Sequence, residues 1–189
     1  MSLSRTFLLS LALTFAGVVL YAASKQSDPT ARDTVTGHLL MDSIFVTDQV
    51  PLSAVSTLPK DGYRTLVDLR PDGEATDQPP SSAVGDAARQ AGLTFAYIPT
   101  PQGEIPEQVV ADLARALETA PKPVIMYCRS GKRAARVWAL AEASRPGGAS
   151  AEAIASAVRA AGQSVDDLAG QIATRIAARK AASPAKEPS

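Results

Sequence analysis

Six consecutive residues, Cys128-Arg129-Ser130-Gly131-Lys132-Arg133, hold most of the chemical content of this 189-residue chain. They follow a short apolar run, Pro123 to Tyr127 (PVIMY), with strand character, and they open a segment of helical character from Lys132 to Ser144. Where a strand of an open α/β sheet ends and a helix begins, unpaired N–H groups and the positive end of the helix dipole attract an anion. The same field favours a thiolate over a thiol. Cys128 therefore reads as a nucleophile, Arg129, Ser130, Gly131 and Lys132 as an anion-binding loop, and Arg133 as a planar fork able to clamp two oxygens. Gly131 lets the backbone curl around the anion without a Cβ clash. Between Lys122 and Arg145 six basic residues (Lys122, Arg129, Lys132, Arg133, Arg136, Arg145) stand against Glu142 alone, in a chain whose 19 basic and 19 acidic residues cancel. A lone cysteine ending an apolar strand is otherwise a small buried hydrophobe, but such a filler needs no arginines, lysine and glycine directly after it. A nucleotide-type P-loop fails on spacing, because Met126 stands where its first glycine belongs.

Other chemistries are largely excluded by composition. With one cysteine and one histidine, no intramolecular disulfide can form and a Cys/His zinc site lacks ligands. The one possible thiol–imidazole pair is Cys128 with His38, and His38, close to a polar linker, reads as structural. No dinucleotide fingerprint, EF-hand spacing or Ser/His/Asp arrangement is present, so neither a cofactor nor a metal is expected. A neutral chain also argues against a nucleic-acid partner. At 46% apolar and 20% charged residues, the composition is that of a globular domain.

The elements that position the loop follow from the pattern around it. Ile44 to Val46, Arg64 to Leu69, Leu93 to Ile98 and Pro123 to Tyr127 read as strands with helices between them, which implies an α/β fold with a mostly parallel central sheet. The clearest intervening helix is expected from Pro106, at the first helical position, to the stop at Pro121, with Val109, Val110, Leu113 and Leu117 on one face. After Lys132 to Ser144, a helix over Ser150 to Ala161 and a last one from Ser164, capped with Asp167, form an Ala-rich helical C-terminal cap.

The expected organisation is a signal peptide or N-terminal membrane anchor over 1–24, a linker over 25–36, the domain over 37–181 and a disordered tail over 182–189. The first assignment rests on Phe7 to Ala23, 17 uncharged residues behind Arg5. Ala22, Ala23 and Ser24 offer a peptidase site, and no cysteine follows for a lipoprotein anchor. With Arg5 held inside, the domain is expected to be exported, either soluble in the periplasm or attached to the inner membrane through residues 7–23.

The segments VTDQV (46–50), DGYRTLVDLRPDGE (61–74), AGLTFAYIPT (91–100), KPVIMYCRSGKRAARVWALAEA (122–143) and ASAEAIASAVRAAGQSVDDL (149–168) resemble the phosphatase-like domain family of beta-lactamase-hydrolase-like proteins. These are relatives of dual-specificity phosphatases, some of them assigned sulfur-transfer activity. The resemblance covers about residues 43–178, and the combination of LRPDGE with CRSGKR is what makes it specific. It implies a protein-tyrosine-phosphatase-like sheet, with Cys128 and Arg133 in the family's cysteine and arginine positions.

Two features depart from the phosphatases. Their signature is Cys-x5-Arg, whereas rhodanese sulfurtransferases commonly use Cys-x4-Arg; this chain has the shorter spacing, with Ala134 where the phosphatase arginine would fall. The histidine that usually precedes the cysteine is replaced by Tyr127. A phosphatase also uses a general acid on the leaving oxygen, and IPTPQGEIPE (98–107) contains no aspartate. Glu104 and Asp68 are the possible acids. Glu107 is accounted for by the first helical turn, Asp72 by a turn after Pro71, and Asp68 could instead pair structurally with Arg70; Gln102 could orient a water. The expectation is a cysteine-dependent phosphatase-like hydrolase acting on a small anionic or phosphorylated substrate. The alternatives are a rhodanese-type sulfurtransferase using a Cys128 persulfide and an anion-binding pseudo-enzyme.

Overall fold

A computed structural model describes residues 34–182. The expected leader, the linker up to residue 33 and the tail from residue 183 lie outside the described residues. Five strands, β1 (His38–Met41), β2 (Ile44–Thr47), β3 (Thr65–Asp68), β4 (Thr94–Tyr97) and β5 (Val124–Tyr127), form one sheet in the order β1-β2-β5-β3-β4. β2, β5, β3 and β4 are parallel, and β1 is antiparallel to β2. Every residue of β3 and β5 is buried, as expected of central parallel strands covered on both faces.

The register decides where the chain emerges. Thr47 and Asp68 both pair with Tyr127, and Asp68 also pairs with Tyr97, so the four parallel strands end level. Asp48-Gln49, Leu69-Arg70, Ile98 to Thr100 and the Cys128 loop therefore all leave from one sheet edge, the place where open α/β sheets bind ligands.

Side chains alternate between two cores. Val67, Val124, Met126 and Cys128 join helices α2 (Glu107–Thr119), α3 (Lys132–Ser144), α4 (Ala151–Ala160) and α5 (Ala169–Ala182) on one face. Leu66, Ile125 and Tyr127 join α1 (Ser81–Gln90) and the 3-10 turn Leu52–Thr57 on the other. α3 lies innermost, packed by α2, α4 and α5, and its run of alanines around Trp138 is buried almost all round. The small side chains let neighbouring helices approach from several sides.

The architecture is thus an α/β domain with a mostly parallel sheet, flanking helices and a helical C-terminal cap. Four details differ from the sequence pattern. β1 was not anticipated: its turn, Asp42-Ser43, takes left-handed backbone angles without a glycine to announce it. Pro106 is the N-cap of α2, in extended conformation, and not its first helical residue. Leu117 on that helix is only half-buried. The last helix begins at Ala169 after a 3-10 turn, Asp166–Leu168; Ser164 bonds Asp166, while Asp167 is drawn away by Arg136.

Candidate active site

β5 delivers Cys128 to the sheet edge, 1% exposed. Three residues later Gly131, the N-cap of α3, has φ 78°. A Cβ at Gly131 would sit 3.2 Å from the Thr47 carbonyl oxygen and 3.3 Å from Gln163 Nε2, so the left-handed backbone favours glycine and the close neighbours add to that preference. The loop is tethered from outside: Gln163 Nε2 donates to the Ser130 carbonyl (3.0 Å) and the Gln49 N–H to the Arg129 carbonyl (3.4 Å). The first N–H groups of α3, which have no partner within the helix, cap this loop.

Arg133 is held from the opposite side. Its Nη1 donates to the Thr100 carbonyl at 2.6 Å. Its guanidinium grips Glu74 with both nitrogens, Nη1 to Oε1 at 2.8 Å and Nη2 to Oε2 at 3.1 Å. Glu74 also accepts from Arg70 Nε (3.2 Å), and Arg70 Nη1 donates to Gln49 Oε1 (2.8 Å). Hydrogen bonding from Arg133, aided by Arg70, outweighs desolvation and holds the Glu74 carboxyl below its usual range. Arg133 is thus pre-oriented by a carboxylate that is itself fixed by a second arginine.

Asp68 lies behind this network. It is buried, accepts from the Arg70 N–H (2.8 Å) and from the Tyr127 hydroxyl, and burial pushes its pKa up to about 6 against those hydrogen bonds. Burial, reinforced by Asp68, in turn pushes the Tyr127 phenol up. Tyr127, in the position of the missing histidine, therefore fastens β5 to β3 beneath the loop.

An open cavity of about 390 Å³ lies over Cys128. Cys128, Arg129, Ser130, Lys132 and Arg133 line one wall, Pro101, Gln102, Gly103 and Ile105 another, and Arg136 with Asp167 the outer rim. Four cations thus face one carboxylate. Arg136 Nη1 meets Asp167 Oδ1 at 2.6 Å, and that contact holds the Asp167 carboxyl below its usual range.

The loop residues expected at the site, including Cys128 and Arg133, come together around this cavity, with Gly131 shaping the turn beneath it. The two expected acids do not. Glu104 is exposed and absent from the lining although both its neighbours contribute; Asp68 is absent from it too and is already engaged by Arg70 and Tyr127. Asp72 receives the Ser81 N–H and hydroxyl, both at 2.7 Å, at the start of α1. Glu107 pairs with Arg175 across to α5. His38, exposed on β1, lines a separate cavity of about 330 Å³ with Asp48, Ser130 and Gly131, so the thiol–imidazole pair is not assembled.

Sequence reasoning assigned no site role to Glu74, Gln49, Thr100, Gln163, Arg136 or Asp167. For Arg136 a signal was present: it lies four residues after Lys132, on the same helical face. The others reach the site from separate parts of the chain, and no local spacing marks them.

Comparison with known proteins bears on family and fold. The chain is 41% identical over 81 residues to the Beta-lactamase hydrolase-like protein of Xylella fastidiosa (strain Temecula1), a match covering 43% of this chain and 19% of that protein. It is 28% identical over 102 residues to the protein of the same name from Agrobacterium fabrum, covering 54% and 24%. The chain therefore matches about a fifth to a quarter of the length of these relatives. Among solved structures, a candidate phosphatase from Neisseria meningitidis aligns with TM-score 0.63 at 24% identity, over 73% of this chain and 97% of that one. Tk-PTP in its active form aligns with TM-score 0.59 at 16% identity, over 76% and 97%. These likenesses give the protein-tyrosine-phosphatase-like fold. The model of the family described as Beta-lactamase hydrolase-like protein, phosphatase-like domain, matches residues 37–145, more than half of the chain, and the chain belongs to that family.

Proposed function

We propose that this domain is a cysteine-dependent hydrolase of phosphate monoesters. The observation that carries the reading is the convergence of Cys128, the amino terminus of α3 and four cations on one cavity. The Cys128 thiolate attacks phosphorus, an S–P bond forms and the P–O ester bond breaks. The loop amides of Arg129 to Arg133 and the Glu74-held guanidinium of Arg133 stabilise the charge on the equatorial oxygens. Water then attacks phosphorus, the S–P bond breaks, and inorganic phosphate leaves with the thiolate restored. Asp167, the sole carboxylate of the lining among the described residues, is kept ionised by Arg136, so the leaving oxygen takes its proton from water. Esters with good leaving groups, such as aryl phosphates, are the favoured substrates.

The Cys-x4-Arg spacing favours a second reading, sulfur transfer. There the Cys128 thiolate attacks the sulfane sulfur of thiosulfate, the S–S bond breaks, sulfite departs, and the resulting persulfide passes its outer sulfur to an acceptor such as cyanide. This route needs no general acid. Side-by-side turnover of an aryl phosphate and of thiosulfate with cyanide tests the two. Hydrolysis of the first supports the phosphatase, and thiocyanate formation alone replaces it with the transferase. Inactivity on both, with phosphate still bound, leaves an anion-binding pseudo-enzyme.

The segment Phe7 to Ala23 motivates a further proposal, export to the periplasm. A reporter fused after Ala178 that is active only outside the cytoplasm should be active; activity of a strictly cytosolic reporter in that position would overturn the assignment.

A further inference from the structure

The cavity holds more positive charge than one tetrahedral anion at Cys128 needs, and the charge is divided in space. Arg133 and the loop form the inner part. Lys132 and Arg136, four residues apart on α3 and so separated by about 6 Å along the helix axis, lead from it to the outer rim. The two carboxylates that neutralise arginines here differ in kind. Glu74 is 13% exposed and accepts from two arginines, which makes it a fixed part of the wall. Asp167 is 64% exposed, sits in the short 3-10 turn of the C-terminal cap, and meets Arg136, itself only 16% exposed. Lys132 also acts on the Asp167 carboxylate electrostatically. A side-chain carboxylate thus covers Arg136, about one helical turn outward from the nucleophile loop, with Lys132 in the same cavity lining.

We propose that the substrate carries two anionic groups, a phosphoryl group in the Cys128–Arg133 loop and a second phosphate or carboxylate that displaces Asp167 from Arg136, beside Lys132 in the same lining. This rests on the phosphatase reading for the identity of the inner group, while the outer subsite stands on the Lys132, Arg136 and Asp167 geometry. An exposed carboxylate paired with a largely buried arginine is the easier of the two to replace, because leaving costs it only a return to water. The device gives selectivity: a leaving group without an anionic substituent leaves Asp167 in place, whereas one that carries a phosphate or carboxylate competes for Arg136.

Calorimetric titration of the full chain with two uncleavable probes, methylphosphonate with one group and methylenediphosphonate with two, tests the outer subsite without turnover. Methylenediphosphonate is expected to bind at least tenfold more tightly. In Arg136→Gln the ratio of the two dissociation constants should fall below threefold. In Asp167→Asn, where the competing charge is removed at an exposed position, it should rise severalfold, a gain of binding that misfolding cannot produce. A ratio unchanged in Asp167→Asn, or a wild type that does not discriminate between the probes, overturns the proposal. A chain that keeps the ratio and its response to Asp167→Asn yet turns over no aryl phosphate refutes the hydrolase reading and leaves the subsite intact. An active phosphatase with a flat ratio refutes the subsite alone.

Discussion

Arg133 and Arg136 lie one helical turn apart and face the same cavity, yet they are held in opposite ways. Arg133 is gripped by Glu74 at both nitrogens and by the Thr100 carbonyl, with the acid and the base each 13% exposed. Arg136 has a single 2.6 Å contact to a carboxylate that is mostly in water. The inner arginine is a fixed part of the wall and the outer one is loosely capped. The contrast follows from where each carboxylate comes from: Glu74 is held at the sheet edge by Arg70, whereas Asp167 sits on a 3-10 turn of the C-terminal cap, at the protein surface.

The deepest cut into the inner half is Cys128→Ser. A serine hydroxyl is not ionised at neutral pH by a helix terminus and neighbouring cations, so turnover of either substrate class should fall to background, read as product formation over hours. Glu74→Gln comes next. It removes the charge that holds two largely buried arginines, and breaking a buried pair of this kind costs about 3 kcal/mol in stability, visible as a lowered midpoint in urea, together with weaker turnover. Arg133→Lys keeps the charge but loses the fork; kcat/KM should drop by about tenfold, or 1.4 kcal/mol, with a smaller stability change than Glu74→Gln. Equal effects of Glu74→Gln and of Asp167→Asn on stability would abolish the distinction between inner and outer arginine.

Inserting one glycine after Gly131 sharpens the same contrast, because it lengthens the cradle to Cys-x5-Arg without touching the outer rim. If the native loop is sized for sulfur, thiosulfate turnover should fall and aryl-phosphate hydrolysis should rise; if it is already a tight phosphate cradle, phosphate hydrolysis should fall. Gly131 packs against the Thr47 carbonyl, so the melting temperature of the insertion variant must be read alongside.

The nucleophile loop was legible in the sequence because its parts are contiguous. An apolar run, a cysteine, a glycine and basic residues at the start of a helix place Cys128 through Arg133 at a strand end with no tertiary information. Strands β2 to β5 and helices α2 to α4 were legible for the same reason, each carrying a local periodicity or a proline or glycine boundary. What supports the loop was not. Glu74, Gln49, Thr100 and Gln163 reach it from four different segments, and the acid candidates Glu104 and Asp68 both lie outside the cavity lining, the first exposed and the second buried. Asp167 shows the competition most clearly: the Ser164-x-x-Asp167 spacing suits a capping box, but Arg136 offers a full charge where the cap offers one N–H, and the helix starts at Ala169 instead.

A smaller effect is expected beneath the inner arginine, at Asp68. Its folded pKa of about 6 lies above the 3.8 of an unperturbed aspartate. Between these values the native state binds more protons than the unfolded chain, so Asp68 makes stability fall as pH rises through the window and level off above about pH 6. Asp68→Asn keeps an acceptor for the Arg70 N–H and removes the ionisation. The variant should match the wild type near pH 4 and be more stable at pH 7, by on the order of 2 kcal/mol, in denaturant titrations across pH. A wild type whose stability rises from pH 4 to 6 more steeply than that of the variant would contradict the assignment of a raised Asp68.

The smallest stability change belongs to the outer pair. Exposed ion pairs are worth about 0–1 kcal/mol, because water screens the attraction and ordering two side chains opposes it. With Asp167 64% exposed, Asp167→Asn should shift the unfolding free energy by less than about 0.5 kcal/mol, within that range, and added salt should shrink even this difference. The direction with pH is fixed by Arg136, which holds the Asp167 carboxyl below its usual value: the contribution is present above the unfolded pKa and is lost as pH falls through the lower folded one. A pair this weak adds little to the fold, so a strong response of stability to Asp167→Asn would mean that the C-terminal cap depends on it, and Asp167 would then be as much a part of the wall as Glu74.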